Sequence, residues 1–174
     1  MVRIRVMTDA DVPAVSAIRV RGWQAAYAGI VPQGYLDAMD IAEDTARRRE
    51  FLAGARGRVR NLVAVDEPAA TGQVVGWAAF GPYRGEQEGA ADGELYALYV
   101  RPDRIGTGAG RALITAVIAE TTREGRRRLL LWVLADNARA RRFYAAAGLV
   151  PDGAETIDDI CGVPLRELRY ARGL

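Results

Sequence analysis

The chain has 174 residues, half of them hydrophobic, so it is long enough to bury a sizeable core, and we expect a single domain over residues 1–174. There are 24 basic and 22 acidic residues, and the formal net charge of +2 argues against general nucleic-acid binding. The chain has no histidine and one cysteine, which argues against Ser-His-Asp catalysis, an intramolecular disulfide and a metal site.

The same composition bears on the cellular location. No apolar run is long enough to span a bilayer, and the N-terminus alternates like a strand and does not resemble a signal peptide. A lone cysteine suits a reducing compartment, so we predict a cytoplasmic protein with no membrane partner. We interpret Cys161 as a bystander because no histidine is available to activate it as a nucleophile.

The spacing of apolar residues predicts strands interspersed with helices. Strands are predicted at 2–7, 61–65, 73–80, 95–100, 129–134, from 149 onward, and at 164–170. Helices are predicted at 8–27, at 33–52 with a break near residue 40, at 108–124 and at 137–147. Turns or loops are predicted at 66–72, 81–93 and 158–162. This order predicts an α+β fold, with a mixed and mostly antiparallel sheet that has helices on both faces.

The most informative stretch runs from Glu94 to Leu113. An apolar, aromatic strand ends at Pro102, and the glycines that follow allow backbone conformations closed to other residues. A helix then begins, and its first N–H groups, together with the helix dipole, form a site for anionic phosphate. A turn with no ligand remains the alternative, because the G-x-G-x-G spacing fits neither the dinucleotide fingerprint nor the nucleotide-triphosphate loop.

Two motifs between Glu94 and Leu149 resemble the GCN5-related N-acetyltransferases. The first, Val100 to Gly110 followed by Leu113, is similar to that family's acetyl-CoA pyrophosphate loop. The second is similar to the family's strand–helix element that holds the pantetheine arm and the thiol; it comprises Leu131–Asn137, Ala140, Phe143, Tyr144, Gly148 and Leu149. From the order and spacing of these motifs the chain is identified as a member of that family, with its acyl-CoA N-acyltransferase fold.

The resemblance implies an enzyme that transfers the acetyl group of acetyl-CoA to an amine by direct attack. The implied contacts with acetyl-CoA come from Leu98, Tyr99, Val100, Ile105, Gly106, Thr107, Gly108, Ala109, Gly110, Arg111, Asn137 and Tyr144. Ile105 departs from the family, which usually has glutamine or arginine there, and Arg104 or Arg111 is a candidate source of the missing positive charge.

The resemblance also implies that Tyr144 acts as general acid, since a phenol with a pKa of about 10 suits a departing thiolate. A buried core tyrosine is the structural alternative for this residue. Asn137 likewise suits both a contact with pantetheine and a helix cap.

The general base is open at this stage. Alternation along the central strand predicts that Glu94, Tyr96 and Leu98 share one face. If that face lines the cleft, Glu94 takes the proton of the amine; otherwise it merely caps the strand. The amine also needs no base if its own pKa in the site is low enough.

The acceptor is expected to be a small-molecule amine or an aminoacyl group, bound near Trp23, Tyr27 and Tyr96. Trp23 and Tyr27 share a helix face, so they either pack in the core or wall a substrate pocket. The acidic residues of the last hairpin either attract a cationic amine or keep a loop soluble; they are Glu155, Asp158 and Asp159.

Other functions fit the same motifs. A catalytically idle acetyl-CoA-binding regulatory module is one, and an acetyltransferase acting on protein N-termini or lysines is another. A longer acyl-CoA as donor is a third. A homodimer formed through the C-terminal strands is a further expectation.

Overall fold

The computed structural model describes residues 2–55, 57–66, 72–85 and 91–174. The strands are β1 (Val2–Val6), β2 (Arg60–Asp66), β3 (Gln73–Pro82), β4 (Gly93–Val100), β5 (Arg128–Leu134), β6 (Val150–Ile160) and β7 (Val163–Gly173). The helices are α1 (Val12–Ala26), α2 (Gln33–Asp37), α3 (Ile41–Ala55), α4 (Ala109–Arg123) and α5 (Ala138–Ala146). Short 3₁₀ turns at Asp9–Asp11 and Pro102–Arg104 precede α1 and α4. Parts of the predicted turn at 66–72 and loop at 81–93 lie outside the described residues.

The strands form a seven-stranded sheet in the order β1-β2-β3-β4-β5-β7-β6. Every neighbouring pair is antiparallel except β4 and β5, which are parallel because α4 carries the chain back across the sheet. The prediction of a mixed, mostly antiparallel sheet is confirmed.

Helices cover both faces of the sheet, as predicted. On one face, Leu113 and Val117 of α4 pack in a core with Leu129 and Leu131 of β5. On the other face, Val15 of α1 packs with residues of β2 and β3. The sheet is therefore the middle layer, and any ligand must reach it at an edge or at a gap between strands.

One irregularity in β4 changes which side chains share a face. Ala97 lies opposite Ala79, and Leu95 lies opposite Phe80, so Tyr96 is an extra residue in the ladder. Leu95 and Leu98 consequently both pack on the α4 side, whereas Tyr96 packs on the α1 side. The predicted shared face of Glu94, Tyr96 and Leu98 is therefore wrong, because the inserted residue moves Leu98 to the face opposite Tyr96 and Glu94.

The predicted loop at 158–162 is also wrong. Strand β6 continues to Ile160, and Cys161 and Gly162 alone make the turn to β7. Their φ angles of 53° and 79° are both positive, as a two-residue hairpin turn requires. The polar run before the turn belongs to an edge strand, where exposed acidic side chains are tolerated. Because Asp158 belongs to this strand, its side chain points to one defined face of the sheet.

A partly buried ion pair joins the start of α1 to β1. Asp11 is 6% exposed and accepts hydrogen bonds from both terminal nitrogens of Arg5, at 2.6 and 2.8 Å, and from the Thr8 N–H at 2.7 Å. The bonds from Arg5 are the main cause that lowers the Asp11 pKa from 3.8 to about 2.

We expect Asp11→Asn to lower the free energy of unfolding by about 2 kcal/mol at pH 7. Because the folded-state pKa is lowered, this stabilisation is complete above about pH 4 and is lost as the pH falls towards 2. Urea denaturation of both proteins at several pH values measures it. A difference between them that does not shrink on acidification would contradict the assignment.

Candidate active site

A cleft opens in the sheet where β4 and β5 separate. The strands pair at Gly93 with Leu129 and at Glu94 with Leu130, and no further pair between them follows among the described residues. Beyond this point a cleft of about 870 Å³ lies between them. Along it, the edge of β4 that faces β5 carries backbone donors and acceptors with no strand partner, which an extended ligand can use.

The glycine turn lies at one end of this cleft. Gly106 and Gly108 have φ angles of 84° and 93°, and a Cβ built on either would meet no atom within 4 Å. Both line the cleft, with Thr107, Gly110 and Arg111. Gly108 is also the N-cap of α4, so the free N–H groups of that helix begin beside the cleft. This arrangement fits the predicted phosphate site.

Other residues of the turn have different roles. The side chain of Ala109 is buried in the core, so only its backbone can serve the turn. A Cβ on Gly110 would lie 3.3 Å from Phe143, so a small residue there lets α4 approach α5. Ile105 lines the cleft and is 41% exposed.

Of the two candidate sources of positive charge, the structure favours Arg111. Arg104 forms an ion pair with Asp66 at 2.9 Å, whereas Arg111 lines the cleft. Arg139, in the first turn of α5, lines it too and was not predicted. Its position depends on the separation of β4 from β5, for which the sequence carries no local signal.

The middle of the cleft contains the other predicted contacts. Leu98, Tyr99 and Val100 of β4 line one wall and Asn137 lines the other. The Asn137 side-chain oxygen accepts the Ala140 N–H at 3.0 Å, so this residue caps α5. Its amide NH₂ group remains able to donate, so capping and ligand contact are compatible.

Tyr144 faces the cleft near two other phenols. The hydroxyls of Tyr27 and Tyr99 lie 3.4 Å apart, and Tyr144 interacts electrostatically with both. The Tyr144 hydroxyl makes no hydrogen bond to another described residue. Burial, and to a lesser extent Tyr27, raises the pKa of Tyr144 well above its usual value, so it keeps its proton at neutral pH.

Glu94 lies outside the cleft lining. It is 2% exposed, and its carboxylate accepts hydrogen bonds from the backbone N–H of Arg84 at 3.0 Å and from the guanidinium at 2.6 Å. Tyr96 does line the cleft, but its hydroxyl donates to the Pro82 carbonyl. The structure therefore brings Tyr96 to the site and keeps the buried carboxylate of Glu94 in an ion pair with the exposed side chain of Arg84.

The C-terminal hairpin closes the end of the cleft opposite the glycine turn, and we call this region the hairpin end. It is lined by Trp23, Tyr27, Trp132, Asp158, Ile160 and Glu167. The rings of Trp23 and Tyr27 lie 4.8 Å apart and also pack against the core cluster around Leu36, so core packing and a pocket wall are compatible here. The buried indole N–H of Trp23 has no hydrogen-bond partner among the described residues.

The structure separates the acidic residues of the hairpin. Glu155 pairs with Arg166 at 2.8 Å, and Asp159 accepts the Gly162 N–H at 2.8 Å, whereas Asp158 lines the cleft. Glu167, which lines the cleft from β7, was missed. The alternation of β7 was visible in the sequence, but its place beside β5 was not.

Comparison with known proteins gives the same class. Residues 23–149 match the model of the acetyltransferase (GNAT) family. An uncharacterized N-acetyltransferase of Bacillus subtilis, YuaI, is 35% identical over 97% of this chain and 91% of its own length. The chain therefore belongs to the GNAT family, and the predicted family and its N-acetyltransferase activity, with acetyl-CoA as co-substrate, are confirmed.

Solved structures agree on the fold. The crystal structure of ribosomal-protein-alanine N-acetyltransferase from Brucella melitensis superposes with a TM-score of 0.78 and 28% identity, over 99% of both chains. The structure of yncA from Salmonella typhimurium with its cofactor acetyl-CoA has a TM-score of 0.75 at 22% identity, covering 99% of this chain and 93% of that one. The predicted acyltransferase fold is confirmed.

Proposed function

We propose that the chain transfers the acetyl group of acetyl-CoA to the amine of a small molecule or of an aminoacyl group. The observation that carries the proposal is the single cleft that joins the glycine turn, the open edge of β4 and Tyr144. A phosphate site, an extended backbone edge and a protonated phenol in that order match the parts of an acyl-CoA thioester.

Binding is assigned to three groups. The backbone N–H groups of the turn between Ile105 and Arg111 hold the pyrophosphate. Isoleucine in place of the family's usual glutamine or arginine at position 105 leaves this role intact, because the donors belong to the backbone. The edge of β4 from Leu98 to Val100 pairs with the pantetheine arm, and an N–H there polarises the thioester carbonyl. Asn137 donates its side-chain N–H to the same arm.

The chemical step needs a proton donor for the departing sulfur. The amine forms a C–N bond at the thioester carbonyl carbon, and the C–S bond then breaks. Tyr144 gives its proton to the thiolate, and the proton that the new amide nitrogen sheds restores the phenol. Its raised pKa keeps Tyr144 in the acid form before each turnover.

A protein N-terminus is a second candidate acceptor. The Brucella melitensis protein is named as an N-acetyltransferase of an alanine in a ribosomal protein. The α-amine of an alanine residue is the amine of an aminoacyl group. The open cleft is compatible with a chain end, since its hairpin end is bounded by exposed residues of β6.

Assembly and location stay predictions. Within the described residues, no helix combines the length and apolar character needed to cross a membrane. Strand β6 ends the sheet, and Ile157 on it is 70% exposed, which suits the proposed homodimer. Sedimentation at several concentrations tests that assembly.

The proposal is tested by calorimetric titration with acetyl-CoA, followed by assays of thiol release with a panel of amines. The panel contains phenethylamine, phenylalaninamide, phenylalanine, a lysine side-chain peptide and a peptide with N-terminal alanine. We expect binding of acetyl-CoA and turnover of at least one small or aminoacyl amine. Binding without any thiol release would favour the regulatory module, and turnover of peptides alone would remove the small-molecule acceptor.

A further inference from the structure

We infer that Glu167, with Asp158 beside it, receives the amine: Glu167 binds the acceptor ammonium and takes its proton. This inference rests on the proposed acetyl transfer and supplies a base inside the cleft, whose lining does not include Glu94. It also specifies the acceptor as a molecule that carries no negatively charged group close to its amine.

Sheet register places the two carboxylates together. Glu167 on β7 lies opposite Leu134 on β5 and Thr156 on β6. Asp158 lies two residues further along β6, on the same face of that strand as Thr156. Such diagonal neighbours are about 7–8 Å apart, a distance that one ammonium group can bridge with water. Both side chains line the hairpin end of the cleft.

The Glu167 carboxylate differs from its acidic neighbours in having no ion-pair partner among the described residues, although Arg84 acts on it electrostatically. Glu94 is held by Arg84, Glu155 by Arg166 and Asp152 by Arg169. No hydrogen bond or ion pair among the described residues engages Glu167. A half-buried carboxylate in a ligand cleft needs a cation or a proton to offset its desolvation, and a cationic substrate provides the first.

Tyr27 connects this carboxylate to the general acid. It interacts electrostatically with both Glu167 and Tyr144. All three side chains line the cleft, so the base and the acid both act near one phenol. An amine held at Glu167 is therefore presented to the same cleft that Tyr144 lines, where it can add to the thioester carbonyl carbon.

The charges around Glu167 suit a base. Asp158 faces it from β6, Glu94 from β4, Tyr27 from the C-terminal cap of α1 and Arg84 from the segment after β3. Burial is the main cause that raises the pKa of Glu167; Asp158 and Glu94 add to the rise, and Arg84 opposes it. A carboxylate with a raised pKa accepts a proton from an ammonium more readily than an ordinary one.

The proton balance is simple. The acceptor enters as an ammonium ion, and one proton passes to Glu167, which leaves a neutral nitrogen with its lone pair. The nitrogen forms the amide as described above, and the sulfur leaves as the thiol. Glu167 then releases its proton to solvent, so each turnover yields one amide, one free thiol and one proton.

The same charges select the acceptor. Glu167 and Asp158 repel a carboxylate, so a free amino acid binds poorly, whereas the matching amine or amide binds well. We expect phenethylamine and phenylalaninamide to be acetylated at least about tenfold more efficiently than phenylalanine.

The decisive variant is Glu167→Gln, with Glu155→Gln as matched control on the same hairpin but outside the cleft. We expect Glu167→Gln to lower kcat/KM for phenethylamine about 100-fold and to leave the Kd of acetyl-CoA unchanged. In the wild type, kcat/KM should rise with pH as the Glu167 carboxyl group loses its proton. This rise should be absent in Glu167→Gln. The variant should also narrow the preference for phenethylamine over phenylalanine. Asp158→Asn should raise KM for the amine with less effect on kcat.

Binding gives a second readout that needs no turnover. In the presence of CoA, phenethylamine should bind the wild type at least about tenfold more tightly than Glu167→Gln. Equal activity, an unchanged pH profile or equal amine affinity would overturn the inference. Failure of the proposed function looks different, because the wild type would then bind no acetyl-CoA or release no thiol with any amine.

Discussion

Replacing Tyr144 with phenylalanine is expected to lower kcat by about 100-fold or more, with the Kd of acetyl-CoA nearly unchanged. The ring packs beside Phe143 at a centroid distance of 5.2 Å, and this contact survives in the variant. Only the hydroxyl is lost, and with it the donor of the proton that the departing thiolate needs. Single-turnover measurement of thiol release isolates this step from binding.

The matched control is Tyr83→Phe, which removes a hydroxyl bonded to Arg169 at 3.0 Å, outside the cleft lining. It should leave the rate of thiol release unchanged. A thioester of a more acidic thiol needs less protonation on departure, so it should recover much of the activity of Tyr144→Phe. An unchanged rate for Tyr144→Phe with acetyl-CoA would remove the acid role and leave the tyrosine as part of the cleft wall.

Replacing Gly108 with valine should weaken acetyl-CoA binding by about 100-fold or more, which is close to 3 kcal/mol. A Cβ at this position would meet no atom within 4 Å, and Gly108 lines the cleft where the pyrophosphate is proposed to lie. A branched side chain there occupies the space of the phosphates and also strains the turn, because φ is 93°. Calorimetric titration measures the affinity.

The effect of backbone strain on acetyl-CoA binding must be separated from the effect of crowding at the phosphate site. Gly125, at the other end of α4, has a φ of 73° and likewise open space at its Cβ, so Gly125→Val carries similar strain away from the site. Both variants should lose about 1–3 kcal/mol of stability, which thermal unfolding measures. Loss of acetyl-CoA binding in both would mean that strain in α4, and not the phosphate site, explains the result.

The two replacements address opposite ends of one mechanism. Gly108 serves the cofactor through backbone geometry, so its loss should appear in affinity. Tyr144 serves the reaction through one proton, so its loss should appear in rate. In a catalytically idle binding module, the Gly108 replacement would still weaken acetyl-CoA binding. The Tyr144 replacement would have no effect, because such a module has no reaction rate to lower.

Much of the cofactor side of the site was predictable from the sequence. The turn after Pro102, the N-cap at Asn137 and the stop at Gly148 depend on residues within a few positions of one another. Local backbone preferences decide such features, since glycine alone readily adopts the positive φ that the turn and the helix stop need. The order of strands and helices followed from the spacing of apolar residues for the same local reason.

The acceptor side depended on the tertiary structure. The bulge at Tyr96 is set by how β4 meets β3, and it places Leu98 on the face opposite Tyr96, so the predicted row of three side chains does not form. Glu94 lies where β4 and β5 still pair, before the cleft opens. Glu167 reaches the hairpin end because β7 inserts between β5 and β6, a pairing between segments distant in sequence. The sequence by itself determined the family, the element order and the phosphate turn, because these rest on local conformation. Only the assembled sheet decided which carboxylate meets the amine, because register and strand order arise from long-range contacts.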